Sequence, residues 1–233
     1  MSRLHPPIWR HDAYVLRRLA NTIGAVLDRH LSDSSGHVAD IGAGDAPYRS
    51  LFEQKGFDYL CLDLAESKCD LIIEPGQPLP VSDESIAVVT SFQVLEHVWD
   101  LDWYLSEARR ILARNGKLVL STHGVWLYHP HPGDYRRWTR NGLVSEIESR
   151  GFRVCEIVGV VGPLAWTTLF RSIGMSKLLS RIPAVGALLS AFFCGFGYWR
   201  MAFEDRITPS SWKQDNAAVY VVVAEPLPGN GPL

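Results

Sequence analysis

A chain of 233 residues, 47% of them hydrophobic, can bury one substantial core, and a single domain with an elaboration is the expectation. Its net charge of −2 offers no electrostatic footprint for nucleic acid, and its four cysteines, Cys61, Cys69, Cys155 and Cys194, lack the paired spacing of a zinc site. The first residues carry His5, Pro6, Pro7 and Arg10 ahead of any apolar stretch, unlike a secretory signal, so a reducing cytoplasm is the expected compartment.

Val15, Leu19, Ile23, Val26 and Leu27 recur at helical spacing and predict an amphipathic helix over 11–31 that covers a sheet or a ligand entrance. Strands are predicted near 37–42, 58–62, 70–73, 86–91, 117–122, 152–159 and 217–224, with helices at 47–55, 101–113 and 140–150 between them. Gly116 is expected to close the helix that precedes it. This alternation predicts an α/β fold: a doubly wound, mostly parallel, seven-stranded sheet with helices on both faces.

The run from Val38 to Arg49 reads as a buried strand, a glycine-rich turn and a helix start. Gly42 and Gly44 let the backbone approach a ligand where a Cβ would collide. Nineteen residues after Gly44, the stretch Tyr59-Leu60-Cys61-Leu62 ends in Asp63, where a second parallel strand would place a carboxylate for two ribose hydroxyls. A dinucleotide fingerprint wants a glycine at position 47; Pro47 stands there and argues against the alternative of a nicotinamide-dependent oxidoreductase.

An insert over 161–216 separates the last two strands, where a short turn would suffice. The stretch from Ile182 to Trp199 is uncharged and bracketed by Arg181 and Arg200, but Pro183, Gly186, Gly195 and Gly197 dilute it as a membrane span. Leu178, Leu179, Ile182, Val185, Leu188, Leu189, Phe192, Phe193 and Phe196 recur near helical spacing. One or two helices are therefore expected, with an apolar face for a lipid tail, a membrane surface or a second subunit. The favoured expectation is a lid that covers the pocket and makes peripheral membrane contact.

Four segments resemble the class I S-adenosylmethionine-dependent methyltransferases, specifically the type 11 group. They are Ala39-Asp40-Ile41-Gly42-Ala43-Gly44, then Leu62-Asp63-Leu64, then Leu79 to Val89, then Gln93-Val94-Leu95-Glu96-His97-Val98. Two departures stand out: Ala46 replaces a frequent third glycine, and Ala87 replaces an aspartate before the fourth strand. The resemblance implies a Rossmann-like fold and S-adenosylmethionine as cofactor. It places Asp40, Gly42, Ala43 and Gly44 against the methionine part, Asp63 with Leu64 at the ribose, Glu74 in a loop beside the adenine, and Gln93 and Val94 beneath the sulfonium. Glu96 and His97 read as structural, since an acidic residue in a first helical turn suits the helix dipole.

The loop after the fifth strand resembles a subgroup of bacterial methyltransferases in which a histidine and a proline precede Asp-Tyr-x-Arg-aromatic-Thr. His129, Pro132, Asp134, Tyr135, Arg137, Trp138 and Thr139 match it, and the subgroup's apparent pathways imply surface-polysaccharide or secondary-metabolite acceptors, small or lipid-linked. His129 is the first candidate base for the acceptor's proton, with His131 and Asp134 as reserves. Arg136 and Arg137 would hold an anionic group, while Trp126, Tyr128, Tyr135 and Trp138 would wall the acceptor pocket. Asp134 and Arg137 could equally brace the loop, and Thr139 cap the next helix. His123, His129, His131 and Asp134 are competent metal ligands, but no second cluster accompanies them and no metal is expected. A non-catalytic membrane-associated protein that keeps the fold is the remaining alternative.

Overall fold

In a computed structural model, which describes residues 3–32, 35–65, 68–130 and 132–228, seven strands form one sheet in the order β3-β2-β1-β4-β5-β7-β6. They are β1 (Gly36–Ile41), β2 (Phe57–Asp63), β3 (Leu71–Ile72), β4 (Ile86–Phe92), β5 (Leu112–His123), β6 (Phe152–Val160) and β7 (Val219–Pro226). The pairings from β3 to β5 are parallel, and β7 runs antiparallel to both β5 and β6. The strand order reverses between β1 and β4, the place where a parallel sheet opens a crevice at its carboxyl ends.

Alternate residues along each strand feed two core layers, as a pleat of period two requires. Val38, Val88, Val119 and Val221 face one side with α1 (Ala13–His30), while Ala39, Val89, Leu118 and Val222 face the other with α3 (Leu101–Ile111) and α4 (Arg140–Glu148). The apolar stripe of α1 is buried, and Arg29 and His30 in its last turn bind Glu156 of β6 at 2.8 Å each. The helix thus lies over the antiparallel end of the sheet. A short α2 (Arg49–Glu53) follows the glycine-rich turn.

Gly116 does not cap a helix. Helix α3 stops at Ile111 and Leu112 is already extended, pairing with Ile86, while Lys117 pairs with Val88, so residues 113–116 bulge from the ladder. A Cβ on Gly116 would lie 2.9 Å from the carbonyl oxygens of both Ala87 and Ala113, so close backbone approach is what requires glycine there. Ala46 holds φ +45, a left-handed conformation that is costly for an L side chain. Ala46→Gly is expected to stabilise the fold by about 0.5–1 kcal/mol after the extra chain entropy of glycine is subtracted. An unchanged or lower denaturation midpoint would contradict this.

The insert consists of α5 (Pro163–Leu179), α6 (Gly186–Ile207) and α7 (Ser210–Asp215). Helices α5 and α6 pack against each other, with Ser176 and Ser190 hydroxyls 2.9 Å apart and Ser172 facing Gly197. Asp205, buried on α6, accepts from the Tyr14 hydroxyl at 3.0 Å and the Gly162 N–H at 2.8 Å, and pairs with Lys213 at 2.9 Å. That one carboxylate ties α1, α5 and α7 to α6. No helix among the described residues is long and apolar enough to cross a membrane.

Candidate active site

The ends of β1 and β4 and the turn after β1 line a crevice of about 510 Å³. Gly42 has φ +80, and a Cβ there would fall 2.7 Å from Val94; Gly44 has φ +54 with open space where its Cβ would point. The turn is sewn onto β2, since the N–H groups of Gly42 and Ala43 donate to the Leu62 carbonyl at 2.8 and 3.1 Å. Asp63 completes the seam: its two carboxylate oxygens accept from the N–H groups of Gly44 and Leu64, each at 2.7 Å. A carboxylate held by two backbone donors keeps one orientation and still has lone pairs for further donors.

Behind the turn, Asp40 is buried and accepts from the Tyr59 hydroxyl at 2.5 Å and the Thr90 hydroxyl at 2.9 Å. Burial raises its pKa, against the opposing pull of those two hydrogen bonds. Gln93 follows β4 in a left-handed conformation, φ +59, with its N–H on the Ser121 carbonyl and its side-chain amide on the Ser121 hydroxyl. Asp40, Gly42, Ala43, Gly44 and Gln93 all line the crevice. Asp63, Leu64 and Val94 are not among its walls, although Asp63 abuts it through the Gly44 N–H. Glu74 lies in an exposed turn after β3 and is not one of its walls either.

Other walls were not anticipated. Arg3 and Arg10, from the segment before α1, line the crevice together with Tyr48 and Phe92. Burial pushes the Tyr48 phenol up to about 12, and its hydroxyl has no hydrogen-bond partner. The only sequence signal for these cations is their place ahead of the first helix, which does not reveal that the chain folds back over the sheet.

The loop after β5 differs from the expected pocket wall. Trp138 is 7% exposed and packs in the core with Leu95 and Leu143, so it walls no pocket. Arg137 grips Asp134 with both terminal nitrogens, at 2.5 and 2.7 Å, and donates to the carbonyls of Trp126 and Leu127. Arg136 donates to the carbonyls of Val98 and Trp99. Both guanidinium groups brace the loop, as does Thr139, whose hydroxyl accepts from the Gly142 N–H at 3.1 Å and caps α4. The Arg137 hydrogen bonds hold the Asp134 carboxyl far below the usual carboxylate range. A carboxylate so stabilised is a poor base. Tyr128 is exposed, Tyr135 packs edge-on against Trp99 at 5.2 Å, and His131 lies outside the described residues.

The same bracing delivers His129 to a cluster. Asp134 accepts the His129 backbone N–H at 2.9 Å, and the imidazole lies edge-on to His123 and His97, with ring centres 5.0 and 4.8 Å away. Burial, then the neighbouring His123 and His97, lower its pKa. His123 stacks flat on Trp126 at 4.6 Å, and its Nδ1 lies 2.9 Å from Glu96. Glu96, in a single 3-10 turn Leu95–His97, is fully buried and accepts from the Thr122 hydroxyl at 2.7 Å. Burial opposes its ionisation, yet His123 and Thr122 hold its pKa below the ordinary value. Glu96 was expected to be structural because its first-turn position is explained by the helix dipole alone; the local sequence gives no sign that β5 brings His123 beside it.

A family model described as a methyltransferase domain matches residues 8–191. This chain belongs to that methyltransferase family. A probable S-adenosylmethionine-dependent methyltransferase of Mycolicibacterium smegmatis is 31% identical over 109 residues, which cover 44% of this chain and 39% of that protein. The malonyl-[acyl-carrier protein] O-methyltransferase of Methylococcus capsulatus is 28% identical over 111 residues, 41% of this chain and 40% of that one. The matches thus span about two fifths of these relatives' lengths. Among solved structures, the [4+2]-cyclase SpnF superposes with a TM-score of 0.58 at 15% identity, covering 92% of this chain and 82% of its own. Geranyl diphosphate methyltransferase in complex with S-adenosylmethionine superposes with a TM-score of 0.55 at 14% identity, covering 91% and 87%. These likenesses establish the Rossmann-like fold of the class I methyltransferases. The cofactor that comes with family membership is S-adenosylmethionine. The residues present fit it: open space where a Cβ on Gly44 would stand, a carboxylate fixed at the end of β2, and an unpartnered Tyr48 hydroxyl that shares the crevice with Arg3 and Arg10.

Proposed function

We propose that this chain transfers a methyl group to an oxygen or nitrogen nucleophile on a small or lipid-linked acceptor, in the assembly of a polysaccharide or secondary metabolite. The observation that carries the reading is the Gly42–Gly44 turn locked onto Asp63 at the point where the strand order reverses. When bound, S-adenosylmethionine supplies an activated sulfonium methyl. Asp63 would accept from the ribose hydroxyls, the Gly42–Gly44 backbone would face the methionine part, and Arg3 or Arg10 would neutralise its carboxylate. Gln93, fixed by Ser121, would form the floor, and the main work of the protein would be alignment and exclusion of water.

The acceptor side lies at the end of β5. Of the three groups expected to take the acceptor's proton, Asp134 is committed to Arg137 and His131 is outside the described residues, which leaves His129. The His-x-x-Pro-x-Asp-Tyr-x-Arg-aromatic-Thr pattern then acts mainly as a brace that holds His129 in place, and Trp126 and Tyr128 remain as candidate acceptor contacts. Calorimetric titration with S-adenosylhomocysteine tests the reading. One site per chain is expected, and the absence of binding would overturn it.

Support for a lipid-linked acceptor comes from α6, which presents Leu188, Phe192, Phe196, Trp199 and Phe203 along one exposed stripe, with Phe192 79% and Leu188 73% accessible. Ile8 and Trp9 line a shallow groove with Phe192, Phe196 and Trp199, while Arg10, the next residue, lines the crevice. No described residue of the insert lines the crevice, so the expected cover over the pocket is not formed. The groove is linked to the crevice wall through the neighbouring residues Trp9 and Arg10, and the stripe suits peripheral membrane contact. The parent chain is expected to float with liposomes, and the double variant Leu188→Glu, Phe192→Glu to stay in the soluble fraction. Equal flotation of the two would remove the stripe from membrane binding.

A further inference from the structure

We propose that Glu96, His123 and His129 form a binding site for one divalent transition-metal ion of the zinc, iron(II) or manganese(II) class. One ligand atom from each of the three lies within 4.8 Å of the other two. Three buried atoms of these side chains, Oε1 of Glu96 and Nδ1 of both His123 and His129, have no hydrogen-bond partner. Nδ1 of His123 lies 2.9 Å from Glu96 and Nδ1 of His129 lies 3.5 Å from Asp134, but neither contact is an aligned hydrogen bond. Buried acceptors and donors are almost always satisfied, so three orphans on one cluster call for a ligand.

Each member is held from behind, as metal ligands are. The second oxygen of Glu96 accepts from Thr122, the His123 ring is stacked on Trp126, and His129 is anchored through its backbone N–H to Asp134. One carboxylate and two imidazoles suit zinc, iron(II) or manganese(II) and offer too few oxygens for calcium or magnesium. Bonds of about 2.0–2.1 Å put the ligands of a tetrahedral site about 3.3 Å apart, so an ion would draw His129, on its half-exposed loop, inward. Three protein ligands leave a coordination position open, the pattern of catalytic rather than structural sites.

Gln93 of the crevice wall precedes Glu96 by three residues and is bonded to Ser121, two residues before His123, so the cluster adjoins the crevice. What the open position would bind, an acceptor oxygen, rests on the methyl-transfer reading; the ion site does not. With an ion present, His129 acts by holding it rather than by taking the acceptor's proton directly.

The test uses the full chain, stripped with a chelator and titrated with zinc by calorimetry and with cobalt(II) by visible absorption. One ion per chain is expected, with cobalt bands from a mixed nitrogen and oxygen site. His129→Ala, at a half-exposed position that tolerates truncation, should weaken zinc binding by at least about 100-fold and abolish the bands, and Glu96→Gln should do the same. His37→Ala, at an exposed histidine remote in sequence, should leave both signals unchanged. No binding by the parent chain, or binding that survives His129→Ala, overturns the proposal. Titration of the same sample with S-adenosylhomocysteine separates the two readings: cofactor binding without metal removes this site alone, and metal binding without cofactor removes the methyl-transfer reading alone.

Discussion

Asp63→Ala is expected to weaken S-adenosylhomocysteine binding by about 10²–10⁴-fold. The carboxylate is already oriented by the N–H groups of Gly44 and Leu64, so it meets ribose hydroxyls without a further ordering cost. Two hydrogen bonds to a charged acceptor are worth about 1.5–3 kcal/mol each, which converts to that range. Removal of the side chain also frees the Gly44 turn, so the loss should sit near the upper end. Asp63→Asn, which keeps one oxygen, should lose less. Calorimetry on the three proteins checks the order, and unchanged affinity in the alanine variant would place the ribose elsewhere.

The second large effect is expected at His129. In chelator-treated, metal-free protein, His129→Ala should slow methyl transfer by about 10²–10⁴-fold, the range for loss of a positioned acid–base group. Cofactor affinity should stay at the parent value, because His129 neither lines the crevice nor bonds to a residue that does, whereas Asp63 holds the Gly44 N–H. Release of S-adenosylhomocysteine in the presence of a cell-envelope extract as acceptor source gives the rate. Parent turnover in the variant would move the acceptor chemistry away from the end of β5. A parallel fall in cofactor affinity would instead mean that the loop supports the crevice itself.

The parallel half of the sheet was legible because its signals are local. Gly42, Gly44 and Asp63 each sit where one strand ends, and the distance between them follows from one strand–helix–strand unit. The alternation of Val38 with Ala39, or Val88 with Val89, likewise needs no knowledge of partners. The misreadings are positions decided by contacts distant in the chain. Gly116 looks like a helix stop, but the bulge against Ala87 is what selects it. Trp138 and the two arginines have the composition of a binding site, yet packing against Leu143 and hydrogen bonds to carbonyls of the same loop occupy them. Arg3, Arg10 and Glu96 gave no local sign, since each reaches the site only when separate strands and the first segment come together.

The position of the insert has a consequence for how this chain can change over evolutionary time. Strands β6 and β7 are antiparallel neighbours, and everything over 161–218 hangs between their adjacent ends. Closing a connection of that length rather than a tight turn costs only about 2 kcal/mol, because closure entropy grows with the logarithm of length. The donor half, β1 to β4, supplies the glycine turn and Asp63 without a residue from the insert. The insert can thus vary in its exposed length without touching the glycine turn, as long as its core anchors Ala165, Leu169, Met201 and Asp205 are kept. The glycine turn and the exposed face of the insert can therefore diverge at different rates within one chain.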